Sequence, residues 1–149
     1  MNLYKTIDQE IKLAMLAKDK IRLETLRSVK TAIMESTTAK GASHELTEEQ
    51  TTAILQRMVK QRKDSATIYE EQNRPELAEK ELTEVEVLQS YLPAQLSQED
   101  LERAIGEIIV QTKSSSLKDM GKVMGAATKY LAGKAEGRAI ADTVKKLLS

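Results

Sequence analysis

Two groups of side chains in this 149-residue sequence have the type and spacing to do chemistry. The first is acidic: Glu76, Glu79, Glu81, Glu84 and Glu86 crowd into one segment after Pro75. Carboxylates at that density could bind a metal or trade protons. They alternate with Leu77, Leu82, Val85 and Leu88 and have no histidine beside them, so the spacing describes the solvated outer face of a helix. The second group is basic. From Lys113 to Ser149 eight bases (Lys113, Lys118, Lys122, Lys129, Lys134, Arg138, Lys145, Lys146) face three acids (Asp119, Glu136, Asp142), a net of about +5. The whole chain carries 23 groups of each sign, so the preceding part carries about −5. A basic end on an electrically even chain suggests an anionic partner, while on charge alone a plain solvated lysine face is the favoured account.

The basic residues fall on two short amphipathic helices expected over 117–130 and 137–148, joined by the tight loop Ala132-Gly133-Lys134-Ala135-Glu136-Gly137-Arg138. Met120, Val123, Met124, Ala127 and Leu131 share one face of the first, and Ile140, Val144 and Leu147 make the inward stripe of the second. Ser116 is placed to cap the first helix, with Asp119 as its capping-box partner. Gly133 stands where a chain leaves a helix through a left-handed residue. Gly137 stands at the next helix start, where uncovered N–H groups attract phosphate. Lys134 and Arg138 flank it, and Lys122 and Lys129 join them if their helix faces the same way. The candidate phosphate-binding set is therefore Lys118, Lys122, Lys129, Lys134, Gly137, Arg138 and Lys145. Gly121 would let another backbone come close, and Gly121 and Gly125 would equally serve tight helix packing.

Composition excludes several other functions. There is no cysteine, hence no disulfide and no thiolate metal site, which is consistent with a reducing compartment; cytoplasmic residence is expected. The opening residues mix acids with apolar side chains and do not read as a signal peptide, and no window approaches the roughly 18 apolar residues of a membrane span. With no Phe or Trp and only four tyrosines, a single-strand binder built on aromatic platforms is not expected. No Gly-rich phosphate loop of the GxxxxGK[ST] kind occurs, and the one histidine, His44, lies in a polar loop. The reading is a binding protein rather than an enzyme, with no cofactor or metal, no membrane partner and no DNA.

Two prolines, six glycines and abundant Ala, Leu, Glu, Lys and Gln favour an all-α protein. The first helix is expected over Leu3–Ala17, with Tyr4, Ile7, Ile11 and Ala14 on one face. Asp19 caps a second over Lys20–Thr38, with Leu26, Val29 and Ile33 inward. A loop follows over 40–44. Thr47 and Gln50 form a capping box for a long third helix, Glu48–Gln72, with Ile54, Leu55, Met58, Ile68 and Tyr69 buried and an exposed polar mid-section at Lys60–Ser65. It would span roughly 37 Å. Pro75 opens a fourth helix that carries Leu77, Leu82, Val85, Leu88 and Leu92. Pro93 forces Leu92 out of helical geometry, so Tyr91, Leu92, Pro93 and Leu96 form a hinge between lobes 1–92 and 97–149. Ser97 caps a fifth helix, Gln98–Gln111, with Leu101, Ile105, Ile108 and Ile109 as its core face.

Four pieces of the chain carry a resemblance: Gln61-Arg62-Lys63-Asp64-Ser65; Tyr91-Leu92-Pro93 with Gln95-Leu96-Ser97; Asp119-Met120-Gly121-Lys122-Val123-Met124; and Gly133-Lys134-Ala135-Glu136-Gly137-Arg138. In that order they resemble the YqeY family, free-standing relatives of the C-terminal tail of the GatB subunit of tRNA-dependent amidotransferase. Glu136 departs from the Asp expected there. The resemblance implies an N-terminal lobe of antiparallel helical hairpins followed by a small three-helix lobe. It also implies a role akin to the related tail, which helps hold the tRNA body while distant domains move an amide nitrogen from glutamine.

Three functional readings follow. The leading one is non-catalytic binding of structured RNA, tRNA foremost, by backbone shape and charge. The second is a protein–protein adaptor that receives a partner helix at the Leu92–Leu96 seam or on the small residues Gly121, Gly125, Ala126 and Ala127. The third, glutamine-dependent carbon–nitrogen ligase activity within a larger complex, rests on kinship alone.

Overall fold

The computed structural model describes residues 2–39 and 45–149; the expected loop at 40–44, with His44, lies outside them. Among the described residues all regular structure is helical: α1 (Leu3–Leu16), α2 (Lys20–Thr38), α3 (Glu48–Glu71), α4 (Pro75–Gln89), α5 (Gln98–Gln111), α6 (Met120–Tyr130) and α7 (Gly137–Leu148). The starts were written in the sequence. The Asp19 side chain accepts the N–H of Arg22, the Ser97 hydroxyl accepts that of Asp100, and Thr47 and Gln50 close a reciprocal capping box. Each satisfies donors that a helix N-terminus leaves without an intrahelical partner.

Three helix ends use one device. Lys18, Asn73 and Lys113 follow α1, α3 and α5 at φ of 55°, 60° and 54°. The next N–H in each case reaches back around the end, from Asp19 to Ala14 O (3.1 Å), Arg74 to Tyr69 O (2.7 Å) and Ser114 to Ile109 O (3.0 Å). These are Schellman turns made without glycine. Among the described residues, only Gly133 (φ 80°) serves a left-handed position with the residue best suited to it.

The helices gather into two compact units, Met1–Leu92 and Pro93–Ser149. In the first, α3 packs chiefly on α4, α1 on α2, and α2 on both α3 and α4. Leu3, Ile7, Leu26, Val29, Ile33, Leu55, Met58, Val85 and Leu88 are buried at its centre. Several positions in this unit differ from expectation. Ile68, Leu77 and Leu82 are exposed, and Val59, Ala66 and Ala78 are buried instead. In the mid-section of α3, Lys60, Gln61 and Asp64 are exposed as expected, but Arg62 is not: its Nε donates to Glu84 Oε2 at 2.9 Å, with the two side chains only 16% and 14% exposed. A long cation and a carboxylate thus occupy a helix–helix contact where apolar periodicity predicts none. Glu84 is therefore not part of a purely solvated acidic face, and burial together with Glu84 raises the carboxyl pKa of neighbouring Glu81.

Helix α4 stops at Gln89, before the proline can act on it. The Ser90 hydroxyl bonds Val87 O (2.6 Å), and Tyr91 and Leu92 donate to carbonyls three residues back, winding the chain into a tight turn. Leu92 packs on the first core. The Tyr91 hydroxyl accepts from Arg22 Nη2 (2.6 Å) and donates to Glu10 Oε2 (3.0 Å), while the Arg22 guanidinium lies 5.1 Å from the ring centroid. Burial first, then the bond to Glu10, raises the phenol pKa. Leu96 belongs to the other core, with Leu101, Ile105, Ile108, Val123, Ala127, Leu131, Ile140 and Val144.

Candidate nucleic-acid interface

Three helices, α5, α6 and α7, pack pairwise on one another in the second unit and hold its basic surface. Helix α6 buries Val123 and Ala127, and Leu131 follows them inward at its end. That stripe at four-residue spacing turns Lys122, Gly125 and Lys129 outward, and all three are exposed. Lys122 and Lys129 are two turns apart on one face, with Gly125 between them. A Cβ added at Gly121 or Gly125 would meet nothing within 4 Å. Among the described residues nothing packs closely against these glycines, and the face they leave is open.

The start of α6 differs from expectation. Leu117–Asp119 form a single 3-10 turn, so the α-helix itself begins at Met120, and the Ser116 side chain makes no cap. Asp119 instead turns its carboxylate back to accept the Ser115 N–H at 2.9 Å. Only this arm forms, and no side-chain cap answers it, so the expected box is absent. Lys118 rides on this turn, exposed.

The loop between α6 and α7 is anchored from the chain that enters the unit. The Gln95 amide donates to Gly133 O (2.7 Å) and the Leu96 N–H to Lys134 O (2.9 Å). Lys134 projects its ammonium to 5.9 Å from the centroid of the Tyr130 ring. Helix α7 then begins at Gly137 with no side-chain cap hydrogen bond from Glu136. Its first N–H groups lack the cap that Ser97 gives α5. Gly137 and Arg138 are exposed.

Along α7, Arg138 and Lys145 stand two turns apart with the exposed Asp142 between them, so this face carries less net charge than that of α6. Lys118, Lys122, Lys129, Lys134, Arg138 and Lys145 form no ion pair with any described residue. Lys146 does, with Glu102, and hydrogen bonds from Lys146 and then Gln98 hold the Glu102 carboxyl below its ordinary range. The buried stripe of α7 ends on Leu148 (6% exposed) rather than Leu147 (37% exposed). Four-residue steps from Ile140 and Val144 reach Leu148; the three-residue step to Leu147 was the wrong choice.

One part of this surface escaped sequence reasoning. A groove of about 480 Å³ opens beside the second half of α6, lined by Ile108, Gln111, Thr112, Ala126, Lys129 and Tyr130. Tyr130 is 69% exposed. Its place three residues after Ala127 and seven after Val123 would set it on the inward stripe, so helical spacing carried no signal of its exposure. Among the described residues, no group of three or more His, Cys, Asp or Glu side chains is arranged to hold a metal ion, and no helix is long and apolar enough to cross a membrane.

Similar proteins bear on the whole of this architecture. The chain is 31% identical over 132 residues to altered inheritance of mitochondria protein 41, mitochondrial, of Clavispora lusitaniae, covering 87% of this chain and 74% of that protein. The same-named protein of Kluyveromyces lactis is 31% identical over 73% of this chain and 60% of its own length. That of Lachancea thermotolerans is 27% identical over 93% of this chain and 75% of its own length. The family model described as Yqey-like protein matches residues 4–148, which takes in both units, and the chain belongs to that family.

Proposed function

We propose that residues 93–149 bind structured RNA, tRNA foremost, by gripping its phosphate backbone. The observation that carries this reading is that six exposed cations, Lys118, Lys122, Lys129, Lys134, Arg138 and Lys145, are left without an ion-pair partner among the described residues. Folded RNA is held mainly through phosphates, 2′-OH groups and shape, and a surface of this kind needs few aromatics. Helix α7 adds N–H dipoles at Gly137 beside Lys134 and Arg138. The relatives' shared name speaks of mitochondria and of inheritance and names no ligand. Cytoplasmic residence of this chain remains part of the proposal, alongside relatives whose names place them in mitochondria.

The test is a salt titration of tRNA binding. Replacing Lys122, Lys134 and Arg138 with Glu lowers the slope of log K against log salt by roughly 2–3 units, a little under one per lost phosphate contact. Wild-type protein that fails to bind tRNA at low salt ends the proposal.

A second reading, a protein adaptor, is favoured by the open face at Gly121 and Gly125, which nothing among the described residues fills. A partner captured after nuclease treatment, retained by the charge-reversed variant and lost in Gly125→Leu, would favour it over RNA.

A further inference from the structure

We infer that the groove beside α6 takes one unstacked nucleobase of the bound RNA, with Tyr130 as its stacking face. The inference rests on the RNA-binding reading and adds to it the kind of RNA preferred: one that offers an unpaired nucleotide, bulged or in a loop. The lining has the chemistry of a base seat. Ile108 and Ala126 give it apolar surface, and Tyr130 gives a largely exposed ring.

The polar lining is equally specific. Thr112 has its hydroxyl engaged, to Ile108 O at 2.8 Å and to Ser114 Oγ at 2.8 Å. The exposed Gln111 amide is therefore the group left to read a base edge, since it can both donate and accept. No acid lines the groove. Lys129 lines it, and the Lys134 ammonium lies over one face of the Tyr130 ring, 5.9 Å from its centroid, so a base would take the opposite face with cations near its flanking phosphates. An apolar peptide side chain would use the floor of this groove and leave both lysines and the amide unanswered. A nucleotide answers all three. A single ring also fits a chain poor in aromatics: the duplex body is held by charge, and one base is read by stacking.

The probe is a pair of RNA hairpins of equal length, one fully paired and one with a single bulged 2-aminopurine, titrated at several salt concentrations. Wild-type protein binds the bulged hairpin about tenfold more tightly, in keeping with one base–aromatic stack, and the 2-aminopurine loses fluorescence on binding. Tyr130→Ala removes both the preference and the fluorescence change while the salt slope stays; Tyr130→Phe keeps all three. Equal binding of both hairpins by the wild type, or a preference that survives Tyr130→Ala, overturns the base seat and leaves the phosphate reading standing. Failure of both hairpins and of tRNA to bind at low salt overturns the two together.

Discussion

The two units place their charge differently. In residues 1–92 polar side chains join one helix to another at partly buried positions: Arg62 of α3 to Glu84 of α4, and Arg22 of α2 through Tyr91 to Glu10 of α1. In residues 93–149 the ion pairs lie at the surface. Arg103 pairs within α5 to Glu99 and Asp100, and Lys146 reaches Glu102. The remaining cations of α6, α7 and the loop between them stay in water. The first unit thus sets some of its charge into partly buried links, beside the exposed pairs Lys30–Asp8 and Lys80–Glu24, whereas the described ion pairs of the second lie at the surface. Exposed cations without ion-pair partners make a field that an anionic partner would feel.

Breaking the Arg62–Glu84 pair tests this contrast most severely. Arg62→Ala strands a largely buried carboxylate and lowers stability by about 2–3 kcal/mol, below the full cost of a completely buried pair because both side chains keep some contact with water. Arg62→Met with Glu84→Leu restores most of the loss. In the second unit Lys146→Ala leaves the urea midpoint where it was. If Arg62→Ala is equally silent, the pair is not structural and the contrast between the units falls.

A smaller effect is expected at the end of α7. Leu148→Ala costs about 2 kcal/mol, at the low end for a buried leucine because the site is the last turn, whereas Leu147→Ala stays within about 0.5 kcal/mol. Equal losses at the two positions would mean that α7 is seated differently on α5 and α6. The smallest effect should be the same in both units. Lys18→Gly and Lys113→Gly each raise stability by about 0.5–1 kcal/mol, because the left-handed strain relieved exceeds the entropy added to the unfolded chain. Denaturation midpoints that fall instead would show that these lysines make contacts worth more than the strain.

Helix starts were legible in the sequence because each cap is a local event: Asp19, Thr47 with Gln50, and Ser97 act on residues two or three positions away. Burial along α5 and α7 was mostly legible for a similar reason, since a three-helix unit buries one clean stripe per helix. The failures came where a distant residue decided the outcome. Ile68, Leu77 and Leu82 look inward by type, yet Val59, Ala66 and Ala78 are buried instead, and α3 is joined to α4 by an ion pair that apolar periodicity cannot reveal. Of the candidate site, the lysines and Gly137 were legible as a charge cluster. The groove was not, because Ile108, Gln111 and Thr112 come to Ala126, Lys129 and Tyr130 only through the packing of α5 on α6.

The hydrogen bonds from Gln95 to Gly133 and from Leu96 to Lys134 make the entering strand a brace for the turn that carries Lys134 and Arg138. Both bonds lie within the second unit, so a substitution that loosens residues 95 and 96 is expected to loosen that turn as well.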